Sequence, residues 1–435
     1  MSEDHFTAEL PDDVHSVLLA IPDAAGILRG KVVPAAAWKN VAQSGIHMAS
    51  LIYTWTPQCE ARDEDEWNKP DKGWPDMHVV PDLSDVRPVP WRPGWAMVLC
   101  DTYTADGGPI PVSPRAALKR VLADAADAGY EVQTGFEIEF YLLESESKQP
   151  FHDDIRCYSI SALGGYESIT EPMRNRLLEF GIPIEAANLE YAPGQVEINL
   201  RYDEAQKTAD NAVLFRNGVK EIAAQQGYLA TFMAKISHDQ SGSGVHLHHS
   251  LRKDGKNVFA ADGKLSDVGR WYLGGLQKYM PELTLFGSPT PNSFKRRVPY
   301  SFCPTNATWG HDNRTVGLRV IEGSDSAVRI EQRDGSADAN PYMIMAAQIA
   351  AGMRGIRDQI EPGPATDSDA YSDSQSEALP ANVTEAADLL DKSEFAREIF
   401  GDLLVDVTLG IARNEENIFA FRVSEDERDR YLEVF

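Results

Sequence analysis

The sequence predicts an α+β protein in which a small β-rich N-terminal part precedes a larger part of mixed helices and strands. Three observations carry that reading. From Val14 to about Thr102 the chain consists of short apolar runs broken by turn signals. Ser113-Pro114 then opens an amphipathic helix, with Ser at the N-cap and Pro at the first helical position. Helical and strand patterns alternate from there onward. The stretch Thr102–Pro111, TYTADGGPIP, reads as the linker, so the two parts are expected to span 1–107 and 108–435.

Taken in order, Ser16–Ile21 is an apolar strand, and Pro22-Asp23 and Gly26 turn the chain into a second strand over Ile27–Val33. Asp85–Pro93 is rich in proline, and Trp95–Asp101 (WAMVLCD) reads as a buried strand. In the first helix of the larger part, Leu118, Val121, Leu122 and Ala125 share one stripe, and Gly129 stops it. Glu131–Leu143 is a strand. Pro193-Gly194 makes a turn between Glu190 and a strand that begins at Glu197. Asp210–Gly227 is helical by periodicity and Tyr228–Lys235 a strand. Ala327–Arg333 (AVRIEQR) is a further strand, and Asn340-Pro341 begins a long helix rich in Met and Ala. Pro362–Pro380 is a low-complexity acidic loop expected to be mobile and exposed. Helices packed on the larger part complete the chain.

At 435 residues the chain can bury a large core across two or three domains. Its 43% hydrophobic and 25% charged residues are those of an ordinary globular protein. No apolar run approaches a membrane span, and the acidic opening MSEDHFTAEL has no apolar signal core. Cys59, Cys100, Cys157 and Cys303 are scattered without a CxxC pair, as expected of reduced thiols in a cytoplasmic protein. The net charge of −26 disfavours nucleic acid and anionic membranes as partners. It also means that a phosphate-bearing ligand needs metals or a local arginine cluster.

The chemistry is concentrated in a few stretches. Gln240–Leu251, QSGSGVHLHHSL, holds three of the ten histidines. If the run after Gly244 is a strand, His246, His248 and Ser250 share one face while Val245, Leu247 and His249 take the other. Such a face, following a Gly/Ser turn with free backbone N–H groups, suits a metal or a phosphate. A single carboxylate pair on a strand is usually a solvated face. Here the pattern recurs: Glu137 with Glu139, Glu190 with Glu197 across a tight turn, and Glu331 between Arg329 and Arg333. Brought together, these acids would repel; two unit charges ~4 Å apart repel by roughly 4 kcal/mol at an effective dielectric of about 20. Divalent cations reverse that sign. Oxygen ligands with one nitrogen favour Mg²⁺ or Mn²⁺ over zinc. Two such ions among arginines describe a phosphoryl-transfer site for a Mg-nucleotide.

At this point the residues resemble a known family. GFEIEF at 135–140, EYAPGQVE at 190–197, GSGVHLHHSL at 242–251, NSFKRRVP at 292–299, Asn313-Arg314 with Leu318-Arg319, and RIEQR followed by ANPY at 329–342 are similar to the successive motifs of type I glutamine synthetases, in the same order. The resemblance implies an N-terminal β-grasp domain followed by a glutamine-synthetase-like α/β catalytic domain. It implies that Glu139, Glu190 and Glu197 hold one metal ion, and that Glu137, His246 and Glu331 hold another on the nucleotide phosphates. Arg296 and Gly242 would bind glutamate, with Arg333 beside its γ-carboxylate. Arg314 and Arg319 would stabilise phosphate charge. Tyr202, stacking on adenine, would contact ATP together with His248, Ser250 and Arg329. The implied reaction is formation of γ-glutamyl phosphate and its capture by an amine. The implied assembly is a homo-oligomer, a dodecamer of two hexameric rings with sites between neighbouring subunits.

The sequence departs from the family where ammonium is handled. After Arg296 the family has Val-Pro-Gly-Tyr-Glu-Ala-Pro, whereas this chain has Val298-Pro-Tyr-Ser-Phe-Cys-Pro304, which sets Phe302 at the position of the ammonium-binding Glu. The N-terminal loop that should bring an aspartate reads His47–Trp55 and contains no acid. The adenylylated tyrosine segment is not recognisable around Leu379–Glu385, Ser326 stands near the place of a usual lysine, and Ser241 replaces an asparagine. An ammonium pocket without carboxylates would desolvate a cation uncompensated. It suits instead an organic amine with a hydrophobic body, lined by Phe302, Tyr300, Tyr53 and Trp55. The expectation is therefore a glutamate–amine ligase that prefers an aromatic amine, then a short branched alkylamine. Two alternatives are a glutamine synthetase using ammonium and a non-catalytic homologue; intact metal carboxylates argue against the second.

Overall fold

The computed structural model describes residues 9–61, 67, 73–373 and 375–435. The acidic opening over 1–8 lies outside the described residues. Two sheets organise the rest. The smaller has the order β2-β1-β5-β4-β3, formed by β1 (Ser16–Pro22), β2 (Leu28–Pro34), β3 (Ile46–Ala49), β4 (Asp76–Pro88) and β5 (Trp95–Tyr103). Helix α1 (Ala35–Ser44) lies against it and buries Trp38, Val41 and Ala42. The proline-rich stretch enters β4 only as far as Pro88. The register of β4 with β5 is irregular between Pro81 and Val86, the kind of break at which a sheet tolerates proline.

After the turn at 104–108, α2 (Pro114–Asp127) starts as expected, with the Ser113 side chain accepting from the Ala116 N–H. The second sheet has the main path β15-β16-β17-β11-β6-β8-β7. Its central members are β6 (Glu131–Glu144), β7 (Ile184–Leu189), β8 (Gln195–Leu200), β11 (Gly244–Lys253), β15 (Trp309–His311), β16 (Leu318–Ile321) and β17 (Arg329–Ser336). Two short strands, β9 (Asp203–Glu204) and β10 (Tyr228–Thr231), add to β6. The second of these ends earlier than periodicity suggests. The two-residue strands β12 to β14 (within 256–265) follow β11. One face is covered by α3 (Ile160–Glu179), α4 (Ala205–Gln225), α5 (Asp267–Gly287) and α7 (Pro341–Asp358), with a short α6 (Pro291–Phe294) before the arginines. Gly275 and Gly355 let α5 and α7 meet backbone to backbone; a Cβ on either would sit 2.7 Å from the other's Cα.

The acidic segment 362–380 is not a free loop, contrary to expectation. Asn306 Nδ2 donates to Ala370 O at 2.7 Å, Asn313 Nδ2 donates to Thr366 O and Ser368 O, and Leu379 N donates to Thr305 O. Ala370 and Leu379 are buried. Composition described its solubility, but tertiary hydrogen bonds fix its path. Beyond it, α8 (Val383–Lys392), α9 (Glu394–Phe400) and α10 (Asp402–Ala420) pack near α5, and α11 (Glu425–Tyr431) buries nothing. Among the described residues no helix is long and apolar enough to cross a membrane.

Arg115 in α2 joins the two sheets. Its side chain is 3% exposed and donates to Asp101 in β5 at 2.5 Å, to Asp82 in β4 at 2.8 Å, and to both oxygens of Asp210 in α4. Tyr342 Oη in α7 also donates to Asp210, at 2.6 Å. Removing the guanidinium strands three acids together. We expect Arg115→Ala to lose roughly 3–5 kcal/mol of stability, read from urea unfolding midpoints; a loss below about 1 kcal/mol would show that the two sheets do not depend on this tie.

Candidate active site

Strand register builds the site. On β11, His246 stands opposite Glu137 of β6, and His248 stands opposite Glu331 of β17. Glu139 of β6 faces Glu197 of β8, and Arg319 of β16 faces Glu331. Period-two alternation turns these side chains to one face. It sends His249 the other way, where it is buried against Gln348 and the Tyr272 hydroxyl. A register shift between Val245 and Leu247 leaves Arg333 and Asp334 of β17 opposite His246 alone.

His246 Nδ1 lies 3.3 Å from Glu137 and 3.4 Å from Glu331, and His248 Nε2 lies 3.1 Å from Glu137. Arg319 Nη1 donates to Glu331 at 2.9 Å, and Arg333 also donates to Glu331. Burial would raise the Glu331 carboxyl, but Arg333 and the two imidazoles outweigh it and bring it down to about 2. Burial opposes ionisation of Glu137 too, and hydrogen bonds from both histidines hold it far below its usual range. Among the described residues the acids on the β8 side have no ion-pair partner. Burial, followed by repulsion from Glu139, pushes Glu197 up to about 9 and Glu190 up to about 7. An oxygen-rich cluster whose members raise one another in this way has the electrostatics of a divalent-cation site.

Two compact donor sets exist among the described residues, Glu137 with His248 and Glu331, and Glu137 with Glu197 and His246, each with ligand atoms within 4.8 Å. Glu139 and Glu190 fall in neither. Glu139 Oε2 accepts from Gly244 N at 2.7 Å and from Gln195 Nε2 at 3.2 Å, and Glu190 Oε1 accepts from Asn188 at 2.8 Å. The structure thus makes Glu137 common to both sets and adds His248 to one.

The remaining expected residues fall around this cluster. Tyr202, His248, Ser250 and Arg329 all line one cleft of about 900 Å³, of a size that accepts a nucleotide. Tyr202 is half-exposed with the Arg252 guanidinium over its ring at 5.9 Å, and Arg329 Nε donates to His248 Nδ1 at 3.2 Å. Arg296 is buried, and its Nη1 donates to Gly335 O at 2.8 Å. Gly242 passes so close to Arg296 that a Cβ would run into its Cγ, while its carbonyl accepts from Gln195 at 3.0 Å. Arg314 is exposed in the turn before β16, held by Asn313. Arg319 also pairs with Asp312.

This chain matches the family model for the glutamine synthetase catalytic domain over residues 111–431. The chain belongs to the glutamine synthetase family. Family members are ATP-dependent ligases, and the matched relatives include two that make γ-glutamylamides. A glutamate–isopropylamine ligase of Pseudomonas sp. is 37% identical, covering 91% of this chain and 90% of its own length. A gamma-glutamylethanolamide synthetase of Streptomyces coelicolor is 35% identical over 97% and 93%. The solved GmaS–ADP complex aligns with a TM-score of 0.87 at 30% identity, covering 97% of each chain.

Within this family frame, the side chains named for the amine divide. Phe302 and Tyr300 are exposed, in a loop that holds both at positive φ, of 59° and 65°. Tyr53 does not join them; it is buried under the N-terminal sheet with its hydroxyl bonded to Thr102 and Ser113. The acid-free loop over His47–Trp55 put it among the expected lining residues, but a one-turn 3₁₀ helix over Ser50–Tyr53 turns it inward. Two residues that sequence reasoning passed over stand nearby. Tyr371, from the anchored acidic segment, meets the Tyr300 ring at 5.2 Å, and Tyr158 lies in the field of Glu190, Glu197 and Arg314. Neither sits in a motif, and only an aromatic residue amid a polar loop could have marked it. Replacing Glu197 with Ala should weaken Mn²⁺ binding by roughly tenfold to a hundredfold, measured by paramagnetic resonance of free Mn²⁺; unchanged affinity and stoichiometry would remove this acid from the donor set.

Proposed function

We propose that the protein joins the γ-carboxylate of glutamate to a hydrophobic monoamine at the expense of ATP. The carrying observation is the loop beside Arg296, which presents Tyr300 and Phe302 with no carboxylate. The names of the isopropylamine and ethanolamine ligases support the reading, and favour short alkylamines over the aromatic amine that the sequence alone put first.

In this reading a γ-carboxylate oxygen of glutamate attacks the γ-phosphorus of ATP and ADP leaves. The amine nitrogen then attacks the acyl carbon, phosphate departs with the acyl oxygen, and the amine gives up a proton. Mg²⁺ or Mn²⁺, two or more per site, would neutralise the carboxylates and polarise the phosphate oxygens. Glu137, His246 and Glu331 would serve the nucleotide side and Glu139, Glu190 and Glu197 the glutamate side, with Glu137 shared. Arg296 and the Gly242 loop would hold glutamate, with Arg333 beside the transferring group. Arg314 and Arg319 would meet phosphate charge, which Arg cations stabilise most when preorganised. Tyr202, His248, Ser250 and Arg329 would hold the nucleotide. Tyr158 and Tyr371 would join Phe302 around the amine.

The five-stranded sheet with α1 fits a β-grasp domain ending near residue 107, followed by the catalytic domain over 108–435. A cytoplasmic setting is consistent with four unpaired cysteines. A ring assembly draws support from the C-terminal stretch, where Phe421, Val423, Leu432 and Phe435 are exposed apolar side chains beyond α10. Light scattering should give a multiple of 48.1 kDa for the active form; a single active chain of that mass would exclude a shared site.

The decisive assay compares kcat/KM for ammonium, putrescine, isopropylamine and aniline. A hydrophobic monoamine should exceed both ammonium and putrescine by about tenfold or more, the discrimination a small apolar pocket provides. Phe302→Glu should narrow that gap. Best use of ammonium by the wild type would support a glutamine synthetase instead.

A further inference from the structure

A second cavity, of about 230 Å³, lies apart from the cleft and the carboxylate cluster and shares no lining residue with either. It sits where the β1–β2 turn of the N-terminal sheet meets α4, α5, the start of α7 and α10. Most of its wall is apolar, including Ile27, Phe232, Phe286 and Ile411. A dry cavity of about 150 Å³ suffices for benzene, so a ring with a short arm fits here.

The remaining wall is polar, and sets Arg216 and Lys220 beside Asp338, Glu415, Thr290 and Asn340. Arg216 and Lys220, one turn apart on α4, both line the cavity and both stand over the Phe232 ring, at 5.5 and 5.8 Å. Among the described residues neither forms an ion pair; Arg216 donates only to Ala339 O, at 2.8 Å. That is unusual in a chain of 67 acids against 41 basic residues. The acids nearby are committed or occluded. Asp338 accepts from the hydroxyls of Thr290, Ser293 and Ser336. Asp23 is bonded to Arg29 and two backbone N–H groups. Glu415 Oε1 is buried with no hydrogen-bond partner among the described residues, and burial pushes its carboxyl pKa up. Burial pulls the Arg216 guanidinium down, the condition an anion would relieve.

We propose that this cavity is a second ligand site, for a small monoanionic carboxylate with an apolar body, its carboxylate on Arg216 and Lys220 and its body among the apolar side chains. A carboxylate there gains charge-assisted contacts in a partly desolvated wall. Because Asn340 at the start of α7 also donates to Asp23 O and Ala24 O of the turn, an occupant would touch the joint between the two sheets. The site is independent of which amine the enzyme uses.

The test is calorimetric titration of phenylacetate into the full chain, with phenylacetamide and phenylalanine as comparisons and with saturating glutamate present or absent. Phenylacetate should bind with a dissociation constant below about 1 mM, unaffected by glutamate, and the neutral amide should bind about tenfold more weakly or worse. Phenylalanine, whose ammonium would face two cations, should also bind more weakly. Lys220 reaches the rim and is exposed, so its variants should fold. Lys220→Met should weaken binding and Lys220→Glu should weaken it further, with thermal melts confirming the fold. Equal binding of acid and amide, displacement by glutamate, indifference to both variants, or no binding at millimolar concentration would each overturn the proposal.

Discussion

Carboxylates held opposite one another on neighbouring strands are the constraint on which the structure depends. Glu139 faces Glu197 directly across β6 and β8, with Glu137 two residues away on the same face. Among the described residues no cation pairs with the β8 side. The opposite side is balanced, since Arg319, Arg333 and the imidazoles surround Glu331. The sheet therefore carries a gradient from compensated to uncompensated acid within one active face. Such an arrangement is unfavourable for folding by itself and is held by the hydrogen-bonded ladder and the core beneath.

The rest of the fold can be read as support for that face. Helices α4, α5 and α7 cover the reverse side and leave the strands nowhere to slip, because a one-residue shift would bury the acids. Arg115 ties the N-terminal sheet to α4 through three aspartates, so the two sheets keep a fixed relation. The same joint contains the cavity beside Arg216 and Lys220. Contact between the two sheets is thus polar and tight at Arg115 and open at the β1–β2 turn.

In the function we propose, selectivity for the nucleophile rests on different material. Most residues proposed for phosphate and glutamate sit on strands or beside α6, where backbone bonds fix them. Phe302 and Tyr300 sit on a loop at positive φ, with Tyr371 packed against them from a segment far along the chain. Loops of this kind change residue type at little cost to the fold, which explains how a family can keep one acyl-activating machine and exchange the amine.

The sequence by itself determined the strand that carries His246 and His248, the caps at Ser113 and Asn340, and the carboxylates that converge. These follow from local rules: alternation on a strand, side-chain capping, and motif order. It could not decide which acids share a donor set, since Glu137 joins both sets only through cross-strand register. Nor could it show that Tyr53 turns inward, that the acidic segment over 362–380 is anchored, or that Tyr371 reaches Tyr300. Helix α1, the long strand β4 and α3 with its internal Pro172 also gave weak local signals. Each of these is settled by contacts between residues far apart in the chain, and no periodicity records so distant a partner.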